Sequence, residues 1–241
     1  MRLRAARPRD QRWTDLVTES DPRSAASEAY RALRTNFQFA GLDEPCRSVV
    51  FTSAMAGEGK TTSLANFGVV SAQAGSRVCL VDSDLRRPTL HRIFGVDNAH
   101  GLTTALIDGS SLAQAARPTR VPHLSLVTSG PLPPNPAELV GSKHMHDLLE
   151  GAAPDFDLVL CDSPPVMAVA DGVALAARCD GVILIVRAGL ASHDVIRRAV
   201  GQIQSVKGKI LGVLLNAVNL NREGYPYPYY RDYLAHGDEG A

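Results

Sequence analysis

The stretch at residues 54–62, AMAGEGKTT, constrains this chain more than any other. It directly follows an apolar run at 48–52 (SVVFT). It directly precedes a helical pattern at 61–74 that Gly75 is placed to end. The segment fits G-x-x-x-x-G-K-[ST], with Ala54 where the first glycine would stand. The chemistry explains the spacing. Gly57 and Gly59 let the backbone curl, so that the N–H groups of Ala56, Gly57, Glu58, Gly59 and their neighbours point into one concavity. The following helix adds its positive end and its free donors. In such a loop Lys60 reaches the β- and γ-phosphates of a nucleotide, Thr61 offers a hydroxyl to Mg²⁺, and Thr62 bonds a further phosphate oxygen. A plain glycine-rich turn is the alternative, and the strand before and helix after weigh against it.

A strand–loop–helix unit of this kind belongs in an open sheet, and the rest of the chain agrees. Further apolar runs fall at 77–81 (RVCLV), 124–127, 158–161 (LVLC), 181–186 (GVILIV) and 210–215 (ILGVLL). Helical patterns lie between most of them, notably at 142–150, 168–177 and 193–206. Near-continuous apolar strands alternating with helices predict an α/β fold of the P-loop NTPase type: a central, mostly parallel sheet with helices on both faces. Right-handed crossovers follow. Upstream, Tyr30, Leu33, Phe37 and Ala40 recur at helical spacing, with Ser24 or Ser27 to cap the helix and Gly41 to stop it. Residues 1–23 read as a disordered basic arm, 24–219 as the P-loop domain, and 220–241 as a flexible tail.

Two more strands end in acid: 78–84 reads VCLVDSD and 158–162 reads LVLCD. An aspartate after four apolar residues sits at the carboxyl end of a buried strand, the edge where open α/β sheets bind ligands. Asp162 is then placed to hold Mg²⁺, directly or from behind its ligands. Asp82 and Asp84 are two apart and face the same way on an extended segment. One can help hold the metal while the other accepts the proton of an incoming hydroxyl. Singly, each aspartate reads as a helix cap or surface turn. Three of them in a chain with a phosphate loop read as metal and phosphate chemistry. Arg86 and Arg87 follow directly and read equally as phosphate contacts, contacts to a neighbouring molecule, or surface residues.

Composition excludes more than it assigns. Lys plus Arg and Asp plus Glu number 25 each, so whole-chain charge points to no nucleic acid and no acidic surface. The five arginines Arg2, Arg4, Arg7, Arg9 and Arg12 read as a solvated arm, with contact to an anionic membrane or acidic partner as the sharper alternative. Cys46, Cys79, Cys161 and Cys179 show no C-x-x-C spacing and read as small core residues in a reducing compartment. No apolar stretch nears the roughly 18–20 residues of a bilayer span, and no secretory signal core is seen. The expectation is a cytoplasmic protein without a transmembrane segment of its own, so that any membrane association comes through a partner or a surface contact.

Six segments together resemble the bacterial tyrosine kinases of capsule and exopolysaccharide synthesis. They are EAYRALRTN (28–36), TSAMAGEGKTT (52–62), VDSDLRRP (81–88), PPNPAEL (133–139), FDLVLCDSPPV (156–166) and YPYPYYRDY (225–233). The resemblance implies ATP and Mg²⁺ as cofactors and Lys60, Asp82, Asp84 and Asp162 as the catalytic set. Thr61, Asp82, Asp84 and Asp162 would lie at the metal, Asp82 would be the base, and Asn216 would lie on the adenine side. Glu28, Arg31 and Arg34 match an E-x-x-R-x-x-R motif that joins neighbouring subunits of a ring. Their spacing puts them roughly on one helix face, although spacing alone reads as a salt-bridged surface helix. The resemblance further implies a homo-oligomer and a membrane-anchored activator of the polysaccharide co-polymerase type. Ala56 stands where the family commonly has proline, which changes loop stiffness more than chemistry.

The tail carries Tyr225, Tyr227, Tyr229, Tyr230 and Tyr233 among Pro226 and Pro228, in only nine residues. Prolines and polar flanks oppose a regular element, so an extended phospho-acceptor is expected. Thirteen residues separate Asn216 from Tyr229, a reach of roughly 40 Å, enough for phosphorylation in trans within an oligomer. Several phosphotyrosines at about −1.5 to −2 charge each would repel and open the assembly. Two rival readings are a partitioning or cell-division ATPase and a non-enzymatic ATP-binding subunit. The first usually carries a lysine where this chain has Met55, and the second leaves the acidic residues without a purpose.

Overall fold

Consecutive apolar residues along one strand need cover on both faces of the sheet, and that is how the strands are used. The computed structural model describes residues 15–40 and 46–219. In chain order it has α1 (Val17–Ser20), α2 (Ala25–Ala40), β1 (Ser48–Ser53), α3 (Lys60–Gln73), β2 (Val78–Asp82), α4 (Leu90–Phe94), α5 (Leu102–Asp108), α6 (Leu112–Ala115) and β3 (Arg117–Pro118). There follow β4 (Leu124–Val127), α7 (Pro136–Val140), α8 (Lys143–Glu150), β5 (Leu158–Asp162), α9 (Asp171–Ala176), β6 (Gly181–Arg187), α10 (His193–Ser205) and β7 (Ile210–Asn216). The sheet has seven strands in the order β3-β4-β2-β5-β1-β6-β7. All pairs are parallel except β3 with β4.

Side chains alternate between two cores. Val49, Phe51, Leu80, Leu160 and Ile185 face one side, where they meet Leu64 and Phe67 of α3. Val50, Val81, Cys161 and Leu184 face the other, with Met145 of α8, Leu175 of α9 and Ile203 of α10. The Phe67 ring packs on Phe51 at 5.5 Å and meets Phe37 of α2 at 5.6 Å in a T-shaped pair. The predicted α/β architecture is the one observed. Because β1 lies between β5 and β6, with β2 beyond β5, the loop after β1 and the aspartates ending β2 and β5 emerge at one edge of the sheet.

The expected arm is too long in its last part. Leu16 is buried in the α3-side core, and the Thr18 N–H and hydroxyl both donate to Asn66 Oδ1, at 3.1 and 2.9 Å. Asn66 is itself buried in α3, and a buried amide needs partners. The strap over residues 15–23 supplies those of its oxygen, a need that the Arg-rich composition around it hides. Ser27 ties the strap to α2 by donating to the Val17 and Asp21 carbonyls. Residues 1–14, Gly41 and the tyrosine tail lie outside the described residues.

Element ends otherwise shift by a residue or two, with two larger differences. The helix expected at 168–177 is only Asp171–Ala176, because Pro164 and Pro165 open a turn that runs into it. The short elements α4 to α7 and β3 were not expected, being too brief to show a period. Among the described residues no helix is long and apolar enough to cross a membrane.

Candidate functional site: a phosphate loop beside buried carboxylates

The loop leaves β1 at Ser53 and enters α3 at Lys60. Gly57 and Gly59 have φ of 83° and 91°, the left-handed region that a side chain would strain. Gly59 is the N-cap of α3 and makes no side-chain cap, so the first-turn N–H groups of this 14-residue helix are left for a ligand.

Protein groups hold the loop in shape from behind. The Glu58 carboxylate is 1% exposed and accepts the Met55 N–H at 2.6 Å and the Arg187 N–H at 3.2 Å. Its side chain therefore faces the protein, and only its backbone can serve a phosphate. The Arg187 guanidinium donates to the Gly57 carbonyl at 3.2 Å. Asn216 Nδ2 donates to the Glu58 carbonyl at 2.8 Å, and Asn216 Oδ1 accepts the Ala217 N–H at 2.8 Å. A Cβ on Gly59 would fall on Asn216 Nδ2. Asn216, expected on the adenine side, thus braces the loop with its amide N–H while its Oδ1 is held by the following residue of its own strand end. The ends of β6 and β7 supply these braces.

The carboxylates stand on the other side. Asp82 and Asp162 are opposite each other in the β2–β5 register. The Thr61 hydroxyl donates to Asp162 Oδ2 at 2.6 Å. Asp82 Oδ2 accepts the Thr89 and Leu90 N–H groups at 3.0 and 2.9 Å. The second oxygens of both, Asp82 Oδ1 and Asp162 Oδ1, are buried without a partner. Lys60 Nζ lies 3.4 Å from Asp84 Oδ2, while Asp84 Oδ1 accepts the Arg86 and Arg87 N–H groups at 3.3 and 3.0 Å.

Burial raises the Asp82 carboxyl well above its ordinary range, and the charge of Asp162 adds to this against the pull of the two N–H groups. Burial also pushes Asp162 up, to about 6, opposed by Lys60 and the Thr61 hydroxyl. For Lys60, burial acts downward, but Asp162, Asp84 and Asp82 together raise it. Three carboxylates face one ammonium, an excess of negative charge in a dry corner. Such a corner suits a divalent cation. Among the described residues no three His, Cys, Asp or Glu side chains converge as a complete metal cage. The groups that could hold Mg²⁺ are the Thr61 hydroxyl and the free Asp162 and Asp82 oxygens. That small set suits a cation which keeps waters and substrate phosphates.

The structure thus brings together Lys60, Thr61, Asp82, Asp84 and Asp162. It separates the E-x-x-R-x-x-R residues. Glu28 and Arg31 pair with each other, while Arg34 turns inward and donates to the Val70 carbonyl at 3.0 Å. Arg86 forks onto Asp171 rather than standing free. Sequence reasoning missed Arg187 and Asp171, and it missed the bracing by the Glu58 side chain. Their partners lie 85 to 130 positions away, and no local spacing reports such a contact.

Comparison with known proteins agrees with this geometry. A family model described as an AAA domain matches residues 46–214. The tyrosine-protein kinase YwqD of Bacillus subtilis (strain 168) is 42% identical over 216 residues, covering 90% of this chain and 91% of YwqD. This chain belongs to the bacterial tyrosine-kinase family. The putative tyrosine-protein kinase CapB of Staphylococcus aureus is 31% identical, over 89% of this kinase and 94% of CapB. The kinase domain of the Escherichia coli tyrosine kinase ETK superposes on the present kinase with a TM-score of 0.82. It shares 30% identity and covers 94% of this chain and 86% of that domain. The partitioning-ATPase alternative is not favoured.

Proposed function

We propose that this kinase transfers the γ-phosphoryl group of Mg²⁺-bound ATP to tyrosines of its own C-terminal tail. The supporting observation is the meeting of Lys60, Thr61 and three strand-end aspartates beside a braced phosphate loop, with two carboxylate oxygens buried and unpartnered. Asp162 Oδ1, whose carboxylate already meets the Thr61 hydroxyl, is the fit test for a cation, because an unpaired buried carboxylate oxygen is costly until something positive meets it, and Asp82 Oδ1 is then left free to act as a base. When bound, Mg²⁺ neutralises charge on the β- and γ-phosphate oxygens. The protein's share is positioning. Backbone N–H groups of the loop and the first turn of α3 bind the phosphates, and Lys60 moves from Asp84 to the terminal phosphate. Asp82 Oδ1 takes the tyrosine proton, and burial makes this carboxylate a stronger acceptor than an exposed one.

The acceptors in this reading are Tyr225, Tyr227, Tyr229, Tyr230 and Tyr233, reached in trans within a homo-oligomer, with the helix that carries Glu28, Arg31 and Arg34 at the contact between subunits. The kinase works in capsule or exopolysaccharide synthesis and export, at the inner membrane face, with a membrane-anchored activator. The names of its relatives support the setting. The test is incubation of the full chain with ATP and Mg²⁺ followed by mass spectrometry of the tail. Wild-type protein gains phosphotyrosine. Lys60→Met gains none, and a chain ending at 219 binds nucleotide but stays unlabelled. Tail tyrosines that stay bare even beside a membrane fraction bearing the activator would end the kinase reading.

A further inference from the structure

We propose that Arg86 and Asp171 are positioning residues: their ion pair holds the Asp84 segment in place, so that Lys60 and Asp84 keep their registry beside the phosphate loop. The inference rests on the kinase reading for its catalytic consequence, though not for its structural one.

Arg86 Nε donates to Asp171 Oδ2 at 2.9 Å, and Arg86 Nη2 donates to Asp171 Oδ1 at 3.1 Å. A two-pronged guanidinium–carboxylate pair fixes orientation as well as distance. The Asp171 side chain has no exposure, while that of Arg86 is 43% exposed. A fully buried carboxylate on an α/β domain calls for a partner, and here both of its oxygens are taken by one side chain.

What the pair joins gives it a role. Asp171 is the first residue of α9, and the turn leading into α9 is fastened to the end of β1. The Val166 and Met167 N–H groups donate to the Ser53 and Ala54 carbonyls at 2.9 and 3.3 Å, and the Thr52 hydroxyl donates to the Pro164 carbonyl at 3.1 Å. Gly172 allows the close approach, since a Cβ there would run into the Pro164 carbonyl. Asp171 is thereby fixed relative to the start of the phosphate loop. On the other side, the backbone N–H groups of Arg86 and Arg87 hold Asp84 Oδ1, and Asp84 Oδ2 faces Lys60. Contacts run from Ser53 and Ala54 through the turn to Asp171, across the fork to Arg86, through its backbone to Asp84, and on to Lys60. The path closes on the loop where it began. Arg86 touches neither Lys60 nor Thr61 by these bonds, so its effect on transfer passes through Asp84.

The test uses the full chain with Arg86→Gln, Asp171→Asn, their double variant and Arg86→Lys. Backbone amide hydrogen exchange without nucleotide reads the clamp directly. In each single variant the Arg86 and Arg87 amides should exchange about tenfold faster, with Arg86→Lys in between and the protection of β1 and α3 unchanged. In tail phosphorylation, kcat should fall about tenfold while the KM for ATP moves less than about threefold, and the double variant should be no worse than the poorer single. Unchanged exchange at Arg86 and Arg87 overturns the proposal. So does an Asp171→Asn chain with wild-type kcat, or single losses that multiply in the double, because these would make Arg86 a phosphate contact in its own right. If Asp171→Asn does not fold, the two Arg86 variants, at a half-exposed side chain, decide by exchange alone. A wild-type chain that transfers no phosphate removes the kinase reading and leaves the exchange result to judge the clamp.

Discussion

The two walls of the site are built on opposite terms. On the β6–β7 side, the side chains that brace the phosphate loop meet protein partners: Glu58 with Met55 and Arg187, Arg187 with Gly57, and Asn216 with Glu58 and Ala217. On the β2–β5 side, Asp82 and Asp162 each keep a buried oxygen that nothing meets. The first wall is complete in itself and offers a fixed shape. The second is incomplete and offers charge. Phosphoryl transfer needs both, because it depends on positioning and on electrostatic stabilisation more than on covalent chemistry by the protein. Strain of the second kind lowers stability at the site it serves.

Asp162→Asn cuts deepest into the comparison. It should lower Mg²⁺-dependent nucleotide binding and transfer about a hundredfold. It should also raise the stability of the protein without Mg²⁺ by about 1 to 2 kcal/mol, because it removes a carboxylate whose ionisation burial opposes. The sign follows from linkage. A carboxyl whose folded value lies above its unfolded value favours the folded state while protonated, and the advantage is lost as pH rises towards about 6. Thermal unfolding at neutral pH, with and without Mg²⁺, reads it. A variant less stable than wild type without Mg²⁺ would mean that Asp162 is a structural carboxylate, and the contrast between the walls would fail.

The same group sets a pH limit. As pH falls below about 6, Asp162 takes a proton that Mg²⁺ must displace, so apparent Mg²⁺ affinity should drop up to about tenfold per pH unit. Titration calorimetry between neutral and acid pH checks this, and Asp162→Asn should flatten the profile. A wild-type slope that persists in the variant would assign it to another group. Smaller again is Asn216→Ala on the complete wall. Losing the bond to the Glu58 carbonyl should loosen the loop and weaken nucleotide binding about fivefold, with little change in the Mg²⁺ requirement. A change in the Mg²⁺ requirement instead would mean that the two walls are not independent.

The sequence shows these walls unequally, for a physical reason. Backbone chemistry at a strand–helix junction is local, so the loop, Lys60, Thr61 and the strand-end aspartates stand out by spacing. The sheet is legible too, because buried parallel strands must be apolar at successive positions, as Val49, Val50 and Phe51 are. What escapes is what one element does for a distant one. Glu58 reads as a loop residue until Arg187 is beside it, Asn216 shows no tie to the loop until Glu58 is, and Arg86 stays open between phosphate contact, neighbour contact and surface residue until Asp171 fills its fork. Glu28, Arg31 and Arg34 make the same point in reverse. Their spacing suggests a shared face, yet Arg34 turns to the Val70 carbonyl because α3 packs there.

The strap over residues 15–23 gives the mildest test of the division. Thr18 donates twice to Asn66 Oδ1, and Asn66 Nδ2 donates to the Thr62 carbonyl at 2.9 Å in the first turn of α3. A path of hydrogen bonds therefore leads from the strap to the phosphate end of the helix. The helix, however, is also held by Leu64 and Phe67 in the core, so the path need not carry function. Thr18→Val keeps the shape and the backbone bond but takes the hydroxyl from a buried amide oxygen. That should cost about 1 kcal/mol of unfolding free energy. Nucleotide affinity should stay within about twofold, since the loop is braced from β6 and β7 and not from the strap. Denaturant unfolding beside nucleotide titration separates the two quantities. An affinity that falls in step with stability would show the strap to be a third brace of the loop, and the complete wall would then extend across α3.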